Sequence, residues 1–271
     1  MVRSRTNSVF TRRFDTELGG RQPDDLVVEE PLMIHLDDQR VSSTMRTPGH
    51  DFELAVGFLQ AEGVLEPEWI ESIRYCGTGL PADSDFNVVS VETGGRAPKP
   101  TARLGSISSS CGVCGSEAIE ELTERLQVLP EYEPWDPGFL VGLPDLLRQQ
   151  QPLFDMTGAV HAAAAVDRDG NVLVTREDIG RHNAVDKVAG RLLLDGRLPL
   201  DDKPLNDLAL VVSGRASFEM AQKAWAAGYT ALVAVSAPSA LAVTTARRAG
   251  LTLVGFTRNS QAQFYSPEWL V

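Results

Sequence analysis

The chain has no long apolar run. No stretch approaches the roughly 18 consecutive apolar residues that a membrane-spanning helix needs. The first twenty residues carry basic side chains but lack the apolar segment of a secretory signal. Both absences predict a soluble protein in the cytoplasm.

Positive charge is also scarce. The sequence contains 25 Lys and Arg against 37 Asp and Glu, which gives a formal net charge of −12. A general nucleic-acid-binding surface needs clustered Lys and Arg, so the composition argues against one. An anionic small molecule would need a local group of arginines and backbone N–H donors to overcome the repulsion. We therefore expect proteins or small molecules as partners.

Cysteine is rare, with three residues in the chain. An odd number does not suit a secreted disulfide framework, and the cytoplasm keeps thiols reduced. Cys76 stands far from the other two cysteines, and such a cysteine is typically a small buried hydrophobe. Cys111 and Cys114 are therefore the thiols to consider for chemistry or metal binding.

A chain of 271 residues, 43% of them hydrophobic, is long enough for a large core and for one or two domains. Apolar periodicity predicts mixed helices and strands, with parallel strands toward the C-terminus. We divide the chain into a mobile N-terminal arm (1–22), an N-terminal α+β domain (23–100 with 116–153), a flexible cysteine-bearing loop (101–115) and a C-terminal α/β domain (154–271).

The pair Cys111 and Cys114 allows three interpretations. A structural zinc site needs two further ligands, and the candidates Cys76, His161 and His182 form no second paired motif. A dithiol oxidoreductase places CxxC between a strand and a helix, whereas a serine-rich stretch precedes it here. A sulfur carrier needs a thiolate that visits a donor and an acceptor in turn. The glycine- and serine-rich composition around the pair favours the sulfur carrier.

Polar residues cluster where three predicted strands end, in residues 176–187, 213–215 and 256–261. Ligands of α/β proteins bind at the carboxyl ends of strands, so these segments are candidates for one anionic ligand. The alternative is a solvated helix start with ordinary ion pairs. The cationic candidates are Arg176, Arg181, His182, Lys187, Arg215 and Arg258.

His161 opens the string HAAA, which bears on one class of enzyme. Zinc deaminases carry a glutamate two residues after such a histidine and a PCxxC motif later in the chain. Here that position is Ala163, and the CxxC comes earlier. A deaminase would lack its general acid and base, and a lone histidine is as often a core residue.

The strings SSSCGVCG, TGAVHAAA, EDIGRHNAVDKVAG, SGRASFEMAQKA, VSAPSALAV and LTLVGFTR follow one another from about Cys111 onward. Together they resemble the FdhD family, the formate dehydrogenase accessory sulfurtransferases. EDIGRHNAVDK and SGRASFEM are long and specific, whereas CGVCG alone would be weak. The resemblance implies a sulfur carrier that accepts sulfane sulfur from a cysteine desulfurase as a cysteine persulfide. It then delivers that sulfur to the molybdenum cofactor, in its bis(molybdopterin guanine dinucleotide) form, before this enters formate dehydrogenase.

The resemblance also assigns residues and a fold. Cys111 would bear the persulfide with Cys114 as its partner, and guanine nucleotide would mimic the cofactor. The implied fold is a small α+β N-terminal domain with a C-terminal three-layer α/β domain like that of cytidine deaminases, in a homodimer. The alternatives are a cofactor-binding chaperone whose cysteines are ligands or a structural pair, and a zinc-stabilised regulatory domain. The implied cofactor-binding residues are Phe256, Thr257, Arg258, Asn259, Ser260 and Gln261.

Overall fold

The computed structural model describes residues 4–76, 86–98, 123–197 and 208–267. Over these ranges the chain forms three β-sheets and six α-helices, which confirms the predicted mixed α/β fold, α+β overall. The predicted loop 101–115, with Cys111 and Cys114, lies outside the described residues. No helix in the described ranges has both the length and the apolar character needed to cross a membrane.

The chain begins with an antiparallel hairpin of β1 (Thr6–Phe14) and β2 (Leu18–Val27). These strands occupy most of the range in which the sequence suggested a mobile arm. Most of their side chains are exposed, including Phe10 and Phe14. The alternation of buried and exposed residues that identifies a strand in a sequence is therefore missing here.

A four-stranded sheet follows, in the order β4-β3-β6-β5. Leu32, Ile34 and Leu36 alternate along β3 and are buried, as the period of two along a strand requires. The helix that begins at Asp51, α1, packs into the same core. These elements are β3 (Glu30–Leu36), β4 (Gln39–Arg46), α1 (Asp51–Ala61), β5 (Ser72–Tyr75) and β6 (Val88–Glu92).

The rest of the described chain is built on a six-stranded sheet, in the order β12-β11-β10-β9-β7-β8. The strands β9, β10 and β11 are parallel, and the other neighbours are antiparallel. The strands are β7 (His161–Asp167), β8 (Val172–Asp178), β9 (Leu208–Val212), β10 (Ala231–Ala234), β11 (Thr252–Arg258) and β12 (Gln261–Ser266). The helices are α2 (Pro137–Arg148), α3 (Pro152–Thr157), α4 (Arg181–Leu194), α5 (Phe218–Ala226) and α6 (Ala240–Ala249).

Both faces of this sheet are covered, which gives three layers. Along β7, Ala163 and Ala165 join the core formed with α4, α5 and α6, while Ala162 and Ala164 face α2. The sequence placed α2 in the N-terminal domain, and in the structure it packs on the six-stranded sheet. The domain boundaries themselves stay a prediction.

The four-stranded and six-stranded parts share one hydrophobic core, and α1 crosses α4 at its centre. A Cβ atom on Gly57 would lie 2.0 Å from the Asp186 carbonyl oxygen, and one on Gly190 would lie 1.8 Å from that of Glu53. Only glycine permits this approach of the two backbones. The crossing fixes α4, whose first residues border the candidate site.

Candidate functional site

A cleft of about 650 Å³ opens at the edge of the six-stranded sheet where the parallel strands end. Because β7 runs antiparallel to β9, its first residue, His161, lies at this same edge. The volume is within the usual range of small-molecule sites, and the position is where α/β sheets bind ligands. Sixteen residues line the cleft: Pro144, Asp145, Leu147, Arg148, Gln151, Phe154, Gly158, Ala159, Val160, His161, Ile179, Ser213, Val235, Thr257, Arg258 and Asn259.

The cofactor-binding residues implied by the resemblance form the tight turn between β11 and β12. Asn259 and Ser260 both have positive φ values, 54° and 57°, and Arg258 pairs with Gln261. Such a two-residue turn matches the twist of the strands that it joins. Phe256 also has a positive φ, 52°, at an irregularity in the β11–β12 pairing.

Of these six residues the structure brings three to the cleft. Thr257, Arg258 and Asn259 line it, whereas Phe256, Ser260 and Gln261 are exposed outside its lining. Thr257 is fully buried, and its hydroxyl makes no hydrogen bond within the described residues. A buried hydroxyl without a partner is costly, so a ligand that reached Thr257 would gain a hydrogen bond at little cost.

The strand ends also carry two arginines that form no ion pair with any described residue. Arg258 ends β11 beside the cleft, and Arg215 follows β9 two residues after Ser213. Both are exposed. On a chain with a net charge of −12, Arg258 is a candidate for the local cation that an anionic ligand requires, whereas Arg215 does not line the cleft.

His161 adds a neutral imidazole to this edge. Burial lowers its pKa, and the charges of Arg181, His182 and Arg215 lower it further, against an opposing effect of Asp178. A Cβ atom on Gly214 would lie 3.5 Å from His161 Nδ1 and 3.7 Å from Arg181 Cδ, so Gly214, His161 and Arg181 are neighbours. At neutral pH the imidazole is therefore a hydrogen-bonding group and not a cation.

Three other predicted cations have structural partners instead. Arg176 donates to both carboxylate oxygens of Glu53, at 2.6 and 2.8 Å, and the pKa of Glu53 is lowered to about 2. Lys187 is fully buried, 2.6 Å from Asp178. His182 Nε2 lies 2.5 Å from a carboxylate oxygen of Glu219. For these residues the alternative of ordinary ion pairs is correct, since buried charges in proteins are paired.

The described residues offer no set of ligands that would support the zinc interpretation. His161 lies close enough to His182 to affect its electrostatics, whereas Cys76 follows β5 in the other sheet. No group of three or more His, Cys, Asp or Glu residues suited to a metal occurs in the described ranges. The positions of Cys111 and Cys114 lie outside those ranges.

Sequence reasoning missed one wall of the cleft, which α2 and α3 supply. Asp145, Arg148, Gln151 and Phe154 line it but lie more than one hundred residues before Arg258 in the chain. The run from Asp145 to Gln151 indicates a solvated helix end, and nothing local marks it as facing a cleft. The proline at each helix start, Pro137 and Pro152, is the signal that would have placed two short helices there.

A three-layer fold whose strand-end cleft carries an arginine without an ion pair among the described residues defines an α/β protein with a candidate site for an anionic ligand. The sequence profile of the FdhD/NarQ family matches residues 27–270, and the chain belongs to that family. The family suggested by the strings around Cys111 and Arg258 is thereby confirmed.

The relatives are similar over nearly the whole chain. "Sulfur carrier protein FdhD" of Mycolicibacterium paratuberculosis is 46% identical and covers 95% of this chain and 97% of its own. The protein of the same name from Streptomyces avermitilis is 45% identical and covers 99% of this chain and 93% of its own. A crystal structure of a protein named as a formate dehydrogenase accessory protein, from Desulfotalea psychrophila, has the same fold. Its TM-score is 0.78 at 24% identity, with 98% of this chain and 99% of that chain covered.

Proposed function

We propose that this protein is a sulfur carrier for the formate dehydrogenase system. It accepts sulfane sulfur from a cysteine desulfurase as a persulfide on Cys111 and transfers it to the molybdenum cofactor, bis(molybdopterin guanine dinucleotide), held as cargo. Family membership and relatives named as sulfur carriers support the chemistry. The cofactor-binding residues are Phe256 to Gln261, with Cys114 as the second thiol.

The observation that carries the cargo site is Arg258, an exposed cation with no described acidic partner, on a cleft of about 650 Å³. Each nucleotide part of the cofactor carries a diphosphate, and arginine side chains bind phosphate oxygens with directional hydrogen bonds. Thr257 offers a hydroxyl in need of a partner, and Asn259 offers an amide. The cleft therefore has the size and the polar groups that one nucleotide of this cargo needs.

Sulfur transfer proceeds in two balanced steps. The Cys111 thiolate attacks the outer sulfur of the donor persulfide, a new S–S bond forms on Cys111, and the donor cysteine leaves as a thiolate. Cys114 thiolate then attacks the inner sulfur of the Cys111 persulfide. With one proton taken up, this releases hydrosulfide to the cargo and leaves a Cys111–Cys114 disulfide, which a cellular thiol reductant reopens.

The first experiment is the intact mass of the full chain after exposure to an active cysteine desulfurase and cysteine, with and without reductant. We expect a gain of about one sulfur atom that reductant removes and that is absent in Cys111→Ala. Cys76→Ala is the matched control, because Cys76 follows a strand of the four-stranded sheet, and it should gain sulfur normally.

Two outcomes would change the proposal. A normal gain in Cys111→Ala would move the persulfide to another cysteine. No gain in any variant, with the desulfurase shown to be active, would favour a chaperone that binds the cofactor without carrying sulfur. Static light scattering tests the homodimer separately, since one chain has a mass of 29.4 kDa.

A further inference from the structure

A second pocket opens at the edge of the six-stranded sheet that lies opposite the cleft. It adjoins Thr252, the first residue of β11, whereas Arg258, the last residue of that strand, borders the cleft. Its volume is about 360 Å³, which is enough for a small organic group. Prolines and aromatic rings form most of its wall, and these residues are Pro130, Tyr132, Pro134, Trp135 and Pro267. The pocket therefore suits an apolar occupant.

The segment that precedes α2 forms one wall of this pocket, and hydrogen bonds hold it in place. Tyr132 Oη donates to the Gly250 carbonyl oxygen at 2.6 Å, and Trp135 Nε1 donates to Thr230 Oγ1 at 3.0 Å. The Arg168 guanidinium lies 4.1 Å from the centroid of the Trp135 ring. Because the polar atoms of both aromatic side chains have partners, the wall offers a fixed apolar surface to an occupant.

The other wall leads directly to the C-terminal residues. Since β12 is antiparallel to β11, it ends where β11 begins, and Ser266 pairs with Leu253. Pro267, the next residue, lines the pocket. The family profile extends to residue 270, so the residues that follow belong to the sequence that the family shares. They lie outside the described ranges, and three of the four are apolar: Glu268, Trp269, Leu270 and Val271.

We propose that residues 268–271 occupy this pocket, with the Trp269 side chain as the anchor. Trp269 is two residues from Pro267, so its backbone stays within about 7 Å of the pocket wall. A tryptophan side chain buries about 150 to 250 Å² when it packs, and the driving force for that burial is hydrophobic. The covalent link gives the tail an effective concentration that a separate partner would have to exceed.

The docked tail would join the chain segments that lead to the two sides of the cleft. On one side, β12 follows the turn at Asn259 and Ser260. On the other side, the segment with Tyr132 and Trp135 leads into α2, which carries part of the cleft lining. The tail therefore acts as a clamp, at the far edge of the sheet, that holds β12 against the segment before α2.

The first test is the thermal unfolding of Trp269→Ala. The melting temperature should fall by about 5 to 10 °C, because the variant loses a buried aromatic side chain. Phe14→Ala is the matched control, since it removes an aromatic side chain that is 70% exposed, and it should melt as the unmodified chain does. Hydrogen exchange of the β12 amides should be faster in Trp269→Ala and unchanged in Phe14→Ala.

The second test locates the tail with a free peptide that has the sequence of residues 267–271. In calorimetric titrations it should bind Trp269→Ala at least about tenfold more tightly than the unmodified chain, whose own tail competes for the pocket. A peptide with alanine in place of the tryptophan is the control and should bind neither protein. Bound peptide should also slow hydrogen exchange in residues 129–135, which form the fixed wall.

Four results would overturn the proposal. Equal melting temperatures of Trp269→Ala and the unmodified chain would show that Trp269 is not buried. A peptide that fails to bind Trp269→Ala, or that slows exchange at another surface only, would remove the tail from this pocket. Equal affinity of the peptide for both proteins would mean that the chain's own tail is not the occupant. A melting temperature of the unmodified chain that rises with protein concentration, but not in Trp269→Ala, would place the tail in the pocket of a second copy. None of these measurements depends on the ligand of the cleft, so the proposed function is tested separately.

Discussion

At the scale of single residues, the cleft is defined by groups that lack partners. Arg258 forms no ion pair and the buried Thr257 hydroxyl makes no hydrogen bond, both within the described residues. Their counterparts Arg176 and Lys187, equally polar in the sequence, are satisfied by Glu53 and Asp178. Of these polar residues, Arg176 and Lys187 therefore stabilise the fold, whereas Thr257 and Arg258 are available to a ligand.

Arg258 gives the first prediction. Replacing it with alanine should reduce the stabilisation by guanosine diphosphate by about 1 to 3 kcal/mol, because a charged hydrogen bond to phosphate is lost. A thermal-shift titration of the full chain measures this. Arg40→Ala, an exposed arginine at the start of β4, is the control and should leave the shift unchanged. An equal shift in Arg258→Ala and the unmodified chain would remove Arg258 from the site.

At the scale of elements, the crossing of α1 and α4 positions one side of the cleft. The α4 helix begins at Arg181, next to His161 and Gly214, and its register is fixed where Gly190 meets the backbone of α1. The neighbouring side is fixed by Glu177, which accepts hydrogen bonds from the start of α3. The site therefore depends on contacts between elements that lie far apart in the chain.

Gly190→Ala should destabilise the protein by about 1 to 3 kcal/mol, since a methyl group would meet a backbone oxygen that no side-chain rotation can move. Chemical denaturation of the two proteins measures the difference. Gly142→Ala is the matched control, because it also lies in a helix and its added Cβ would meet nothing within 4 Å. We expect this control to be neutral or to gain roughly 0.5 to 1 kcal/mol. Equal free energies of unfolding in the two variants would show that α1 and α4 can move apart without an energetic cost.

At the scale of the whole molecule, the sequence predicts the fold class, the family and the side of the cleft formed by strand ends, but not the opposite contribution from α2 and α3. The segments around Arg181, Arg215 and Arg258 follow predicted strands, and strand ends meet at one edge of a sheet, so their proximity could be expected. The wall formed by Asp145 and Gln151 could not, because its place depends on how α2 packs across the sheet. The hairpin β1–β2 was missed for a related reason, since exposed strands have no apolar period.

Glu53 links the two parts of the molecule, from α1 to Arg176 on β8, and its charge should make global stability depend on acid. Burial alone would raise its pKa, but hydrogen bonds and charge from Arg176 and His50 lower it to about 2 from an ordinary value of 4.5. Because the folded pKa is the lower one, the stabilisation is complete above pH 4.5 and is lost as the pH falls toward 2. This loss is on the order of 3 kcal/mol.

Urea denaturation between pH 4.5 and 2 measures the free energy of unfolding. This free energy should fall less steeply with pH in Glu53→Gln than in the unmodified chain. It should fall as steeply in Glu68→Gln, an exposed control, as in the unmodified chain. An identical pH dependence of the free energy of unfolding in all three proteins would mean that the Glu53–Arg176 pair does not stabilise the contact between the two parts.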